Sequence, residues 1–291
     1  MDEDLKGQAA KWLEEQGFPL EMRAARAMAA ADLTVEISTS VPDLETGKEC
    51  EVDVVASAFE RLHTGYATFT LLSECKHSSD KPWIGFVGEE PNYHRPSDSV
   101  YNRIATRTGS ILLLELSVGH RHRDNPVFAL PKRLCYGIVR AFSQKMEDMA
   151  YAAMAKAERS CISKAAYSDR IAGEFRMPSP VEVYFPLVIT DAPLFECALK
   201  EDGTPTLTEA TQLTLVRNRP LGKGGHQIVQ IFHENALSGF LQEFSTGWAE
   251  IAKHIREGVP TTSKVMEKHS AQEAEEPNET SQPIGDWGEP V

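Results

Sequence analysis

The apolar positions change period along the chain, and the changes mark its elements. From about Leu5 to Ala31, Trp12, Leu13, Phe18, Leu20 and Met28 fall at helical spacing among alanines. Gly17 and Pro19 divide this run into two helices, with Pro19 suited to the first turn of the second. From Leu33 the period becomes two: Leu33, Val35 and Ile37 alternate with Thr34, Glu36 and Ser38, as in a half-buried strand. The stretch 42–48 is turn chemistry with Gly47 available for a positive φ, and strands follow over 49–57 and about 66–76. Three consecutive strands after a helix predict an antiparallel, hairpin-based sheet.

Beyond residue 79, prolines at 82, 91, 96, 126 and 131 punctuate short apolar pieces. The apolar run within 110–117 predicts a strand. Leu134, Ile138, Phe142, Met146 and Met149 predict one long helix over about 132–166. A buried strand is expected at 181–190, shorter strands at 194–199, 212–217 and 227–233, and an amphipathic helix at 237–255. No internal repeat is visible.

Length and composition fit a globular protein: 291 residues, 41% hydrophobic and 25% charged. The charged N-terminus has no signal-peptide pattern, and the longest apolar runs are too short to span a bilayer, so no membrane partner is expected. Five scattered cysteines without C-x-x-C spacing argue for a reducing compartment, and a cytoplasmic location is expected. The net charge of −13 opposes strong autonomous binding to nucleic acid. About half of that excess lies in the tail, where seven acidic residues from Glu267 onward face one lysine. Composition predicts that this tail, 259–291, is disordered.

The chemistry concentrates in two strands. Asp53 interrupts the apolar segment Val52-Asp53-Val54-Val55-Ala56, and the next strand ends in Glu74-Cys75-Lys76. Side chains alternate across a strand, so Glu74 and Lys76 share one face and Cys75 takes the other, buried one. Asp53 can reach them across the ladder. Two carboxylates on adjacent strands can hold Mg²⁺, which takes oxygen ligands and keeps several waters. A neighbouring ammonium then serves phosphodiester hydrolysis, which needs offset charge and an activated water.

In these residues the chain resembles the PD-(D/E)XK nuclease superfamily, whose pattern is a helix bearing a glutamate, then three strands with Asp on the second and (Asp/Glu)-x-Lys on the third. The matching positions are Glu21, Asp53, Glu74 and Lys76. Val52 stands where the literal proline of the motif would be. The resemblance implies an α/β (α+β) restriction-endonuclease-like fold: a mixed central sheet flanked by helices, with an insertion and extra C-terminal strands and helix. It implies one nuclease-like domain over 1–258, with a core of about 5–78 plus 132–190, an insertion at 79–131 and an extension at 191–258. It further implies that Asp53 and Glu74 bind Mg²⁺ (Mn²⁺ as substitute) with the Cys75 carbonyl, that Glu21 assists through water, and that Lys76 positions or deprotonates the attacking water. The expected function is metal-dependent hydrolysis of nucleic acid, DNA ahead of RNA. The alternative is a catalytically inactive or partner-dependent binding module of the same fold in a defence or DNA-processing system. A protein partner such as an ATPase would then deliver the nucleic acid, and a homo-oligomer is a further partner reading.

Outside that set, His77, Lys81, Arg103, Arg107, Arg121 and Arg123 are candidate nucleic-acid contacts. Lys81-Pro82-Trp83 offers a cation and a stacking aromatic, and His120-Arg121-His122-Arg123 with Lys132-Arg133 is the most basic local stretch. Arg103 and Arg107, four apart, would share a helix face beside it. His120 and His122 lack further ligands for zinc. Gly222-Lys223-Gly224-Gly225-His226 lacks phosphate-loop spacing and reads as a hairpin connection.

Overall fold

The computed structural model describes residues 3–43, 47–62, 65–78, 81–88, 99–118, 122–142, 148–218 and 226–258. Helices α1 (Glu3–Glu14) and α2 (Phe18–Ala30) are separated at Gly17, with a proline in the first turn of α2. Strands β1 (Thr34–Pro42), β2 (Glu49–Leu62) and β3 (Gly65–Lys76) then form an antiparallel meander. Gly47, at φ +68°, supplies the left-handed residue of the β1–β2 turn.

Next come β4 (Trp83–Val87), β5 (Ile104–Ala105), α3 (Arg107–Ser117), β6 (Cys135–Arg140), α4 (Met149–Glu174) and β7 (Val181–Thr190). The chain ends its described part with β8 (Leu194–Leu199), β9 (Pro205–Ala210), β10 (Gln212–Asn218), β11 (His226–His233) and α5 (Glu234–Gly258). One mixed sheet runs β1-β2-β3-β7-β11-β10-β6-β4-β8-β9. Strand β7 is parallel to β3 along its whole length. Its other edge is shared, by β5 near Tyr184 and by β11 from Leu187 onward.

Helices cover both faces. On one, Leu20, Ala24 and Met28 of α2, Leu112, Leu113 and Leu116 of α3, and Leu237, Leu241 and Phe244 of α5 close over Val54, Phe69, Leu71, Cys75 and Phe185. On the other, α4 covers the sheet with Ala153, Met154, Ala157, Cys161 and Ala165. These alanine-rich positions let the helix approach closely, and burial of apolar area supplies the driving force at about 25 cal/mol per Å². The architecture is a mixed α/β sandwich of helix, sheet and helix layers.

Two expected elements differ. The run at 110–117 is the body of α3, not a strand. Thr106 accepts the Gly109 N–H as N-cap, and Leu112, Leu113 and Leu116 are buried while Leu114 is exposed, which is helical spacing. A short apolar run does not separate strand from helix by period alone. Gly109 also permits contact with β7, since a Cβ there would lie 2.2 Å from the Glu182 carbonyl oxygen. The long helix expected from 132 is instead β6 followed by α4. Tyr136, Ile138 and Val139 favour a strand, and Asp148 restarts the chain as an N-cap accepting the Ala150 and Tyr151 N–H groups. The tail at 259–291 and most of the glycine-rich stretch near 222 lie outside the described residues.

Within the meander, the ribbon turns over at one step. Val52 packs towards α4, whereas Val54 and Ala56 pack towards α2. Two residues of equal parity should share a face, so the alternation slips at Asp53. Opposite it in register, Ser38 has φ +53°, a left-handed conformation rare for a residue with a side chain. The slip sits beside the charged residues.

Candidate active site

The β2–β3 ladder runs from Leu62↔Gly65 to Val54↔Ser73 and stops there, one step before Asp53 would face Glu74. Strand β3 continues on its other side, pairing with β7 as far as Lys76↔Thr190. The two strands therefore fork at the residues that carry charge. Asp53 spans the fork: its Oδ2 accepts the Cys75 N–H at 2.7 Å, replacing the main-chain acceptor that a continued ladder would supply.

Glu74 is 3% exposed at its side chain and is held by two ammonium groups. Lys76 Nζ lies 2.5 Å from Oε1, and Lys156 Nζ lies 2.6 Å from Oε2. Lys156 also stands 3.7 Å from Asp53 Oδ1, so the two carboxylates share it. Glu74 Oε1 is itself buried, with the Lys76 ammonium beside it. Glu21, from α2, faces the same group of charges. Its pKa is raised by partial burial first, then by the negative charges of Asp53, Glu51 and Glu74, against the opposing pull of Lys76. For Lys156, burial lowers the pKa, but the hydrogen bond and charge of Glu74 with the charge of Asp53 outweigh it, leaving the pKa above ordinary. Cys75 turns to the opposite, α2-facing core, where burial and then the Asp53 charge push its thiol up.

Glu21, Asp53, Glu74 and Lys76 are thus brought together from one helix and two strands. Two members were missed in the sequence. Glu51 could have been suspected from its spacing two before Asp53. Lys156 gave no signal, because it lies about eighty residues away in an alanine-rich helix whose register over the sheet is a tertiary fact.

Immediately beyond Lys76, at the ends of parallel β3 and β7, His77 Nδ1 lies 2.5 Å from Asp191 Oδ2, and the Ser78 N–H donates to Asp191 Oδ1 at 2.7 Å. The contact with Asp191 fixes the orientation of the imidazole. Thr190 donates from its hydroxyl to the Lys76 carbonyl at 2.7 Å and pins the end of β3.

The remaining candidates are scattered. Arg103 is not on a helix face with Arg107: it is buried before β5, donates to the Ser99 and Phe128 carbonyls, and lies over the Phe185 ring. Burial pushes its guanidinium down to about 9. Arg107 opens α3, exposed, with its N–H bound by Asp169. Trp83 is fully buried in β4, so it offers no stacking surface beside Lys81. Arg123 is exposed near α5, whereas Arg133 pairs with Glu196 on β8 at 3.1 Å, so the basic stretch is divided between elements. Arg121 lies outside the described residues.

Among the described residues, no group of three or more His, Cys, Asp or Glu side chains is gathered to hold a metal ion unaided. The donor set nonetheless suits Mg²⁺, which is commonly held by one or two carboxylates and completed by waters and substrate phosphate. The Asp53 and Glu74 carboxylates and the Cys75 carbonyl are oxygen donors at the fork. The Asp53 and Glu74 carboxylates gathered at the fork, and the negative charges that add to burial in raising Glu21, are what a cation would relieve.

No helix among the described residues is long and apolar enough to cross a membrane. Comparison with family models, curated proteins and solved structures gave no match.

Proposed function

We propose that the chain is a metal-dependent phosphodiesterase acting on nucleic acid, DNA ahead of RNA, in the manner of the PD-(D/E)XK nucleases. The observation that carries this reading is the forked ladder with Asp53 on β2, Glu74 and Lys76 on β3, and Glu21 on the preceding helix. The connection α2-β1-β2-β3, then α4 and a β7 parallel to β3, supports it, since that is the order expected of a restriction-endonuclease-like core. The position at the carboxyl end of β3 within a sheet covered on both faces also favours a ligand site.

In this reading Asp53 and Glu74 hold Mg²⁺ with the Cys75 carbonyl. A bound Mg²⁺ supplies charge neutralisation at the phosphate and a more acidic coordinated water. Lys76, anchored on Glu74 yet 30% exposed, orients the attacking water and offsets negative charge as the phosphorus becomes five-coordinate. Glu21 orients water at the edge of the site. His77, braced by Asp191, stands at the rim as a phosphate contact.

The acidic balance motivates the second reading, a binding module or a subunit that acts with a partner such as an ATPase. Incubation of the full chain with plasmid, linear and single-stranded DNA plus Mg²⁺ or Mn²⁺ distinguishes the two. Cutting that is lost in Asp53→Ala and Lys76→Ala is expected. Cutting that persists in both variants would sink the assignment, and metal binding without cutting would favour the module.

A further inference from the structure

Lys156 is not part of the motif that suggested the site, yet it is the group that bridges the two carboxylates there. Its Nζ is 2.6 Å from Glu74 Oε2 and 3.7 Å from Asp53 Oδ1. Lys76 is bound differently, to the other oxygen of Glu74 alone. Lys156 rises from the middle of α4, where Ala153, Met154, Ala157 and Ser160 are buried beneath it. The helix is fixed, while the side chain remains 28% exposed. A lysine head is a compact, hydrated charge on a flexible stem, so it can leave such a position more readily than the forked guanidinium of an arginine.

The charges at the fork are unequal. Among the described residues, Glu21, Glu51, Asp53 and Glu74 stand about the ammonium groups of Lys76 and Lys156. An ammonium between Asp53 and Glu74 offsets their repulsion in the absence of metal, but it stands where a divalent ion must be coordinated by both. The two cations compete for the same oxygens.

We infer that Lys156 is an exchangeable internal counter-ion: it occupies the Asp53–Glu74 position until a divalent cation displaces it, and a nucleic-acid phosphate then receives it. This inference rests on the metal-site reading above. Displacement of an ammonium from two carboxylates weakens metal binding to the protein alone. A phosphate that accepts the displaced ammonium restores what was lost. Metal and polyanion therefore bind with positive coupling, and the coupling is reciprocal. For an acidic protein this has a direct use, because the nucleic acid gains a cationic contact only where metal is bound.

The test is Mn²⁺ affinity by electron paramagnetic resonance, measured alone and with a short phosphorothioate DNA duplex, and corrected for Mn²⁺ held by the duplex itself. For the wild-type chain the duplex should tighten Mn²⁺ binding by about tenfold, within the usual range for coupled sites. Lys156→Met should bind Mn²⁺ about tenfold more tightly without duplex and gain clearly less from it than the wild-type chain, keeping only what phosphate ligation of the metal supplies. Lys76→Met should retain the gain from duplex, which separates displacement from the general effect of removing a nearby positive charge. Thermal unfolding checks each variant, and Lys156→Gln substitutes if the methionine variant does not fold. Wild-type Mn²⁺ affinity indifferent to duplex, or a Lys156→Met variant that binds no tighter or keeps the full wild-type gain, overturns the inference while leaving the metal site standing. No Mn²⁺ binding by the wild-type chain under either condition overturns both.

Discussion

Charge is buried in two places in this molecule, and the two are built in opposite ways. At the fork between β2 and β3, Glu74 is sealed to 3% exposure, but it is flanked by two partly exposed lysines and shares one of them with Asp53. Before β5, Arg103 is buried, donates to two main-chain carbonyls and lies over Phe185. The second arrangement ties the Ser99 segment to the Phe128 segment. The first leaves two lysine side chains partly exposed beside a buried carboxylate. A buried ion held by the backbone serves the fold, whereas one held by partly exposed charges is a candidate for chemistry.

The comparison predicts a division of effects. The largest is on catalysis at the fork. Asp53→Ala and Lys76→Ala should each lower the rate of DNA cleavage by at least ~10²-fold, the scale of losing one charge-stabilising or proton-transfer group. Steady-state cleavage assays check this. Arg103→Met should instead cost about 2–3 kcal/mol of stability, the scale of hydrogen bonds from a charged group. It should leave Mn²⁺ affinity unchanged, as chemical denaturation and metal titration would report. An Arg103 variant that folds normally but loses metal binding would erase the distinction drawn here.

The smallest effect concerns Glu21. Its raised pKa means that the folded form holds the proton more tightly than the unfolded chain does, so the carboxyl favours folding at low pH. Ionising it costs stability as pH rises past its ordinary value of 4.5. Glu21→Gln should therefore raise the melting temperature slightly at neutral pH, with the difference shrinking as pH falls below that value. A melting difference independent of pH would mean that the carboxylate repulsion at the fork is not felt by Glu21.

The fork half of the molecule was far more legible in the sequence than the other half. Its elements follow one another in the chain, so period, turn residues and strand alternation give α2, β1, β2 and β3 directly, and Glu21, Asp53, Glu74 and Lys76 with them. Even the burial of Cys75 opposite Glu74 follows from alternation. The slip at Asp53 does not, because it depends on Ser38 adopting a left-handed backbone that no local signal requires. In the other half, β4 lies between β6 and β8, and β6 joins β10, pairings between distant segments. There the apolar runs at 110–117 and from 132 were short or broken by unrecognised caps at Thr106 and Asp148, and helix and strand were exchanged. Lys156 and Asp191 belong to this class as well. Each reaches the site through packing or strand order, which the residues around them do not announce.

The central claim is that the Asp53–Glu74 position is a divalent-cation site. Crystals grown with a short DNA duplex and soaked in Mn²⁺, with diffraction measured at the manganese absorption edge, test it most directly. An anomalous peak between the Asp53 and Glu74 carboxylates, beside the Cys75 carbonyl and with Lys156 withdrawn from Glu74, is the expected result. Density showing Lys156 still bridging the two carboxylates, with no anomalous peak at the fork, would contradict it.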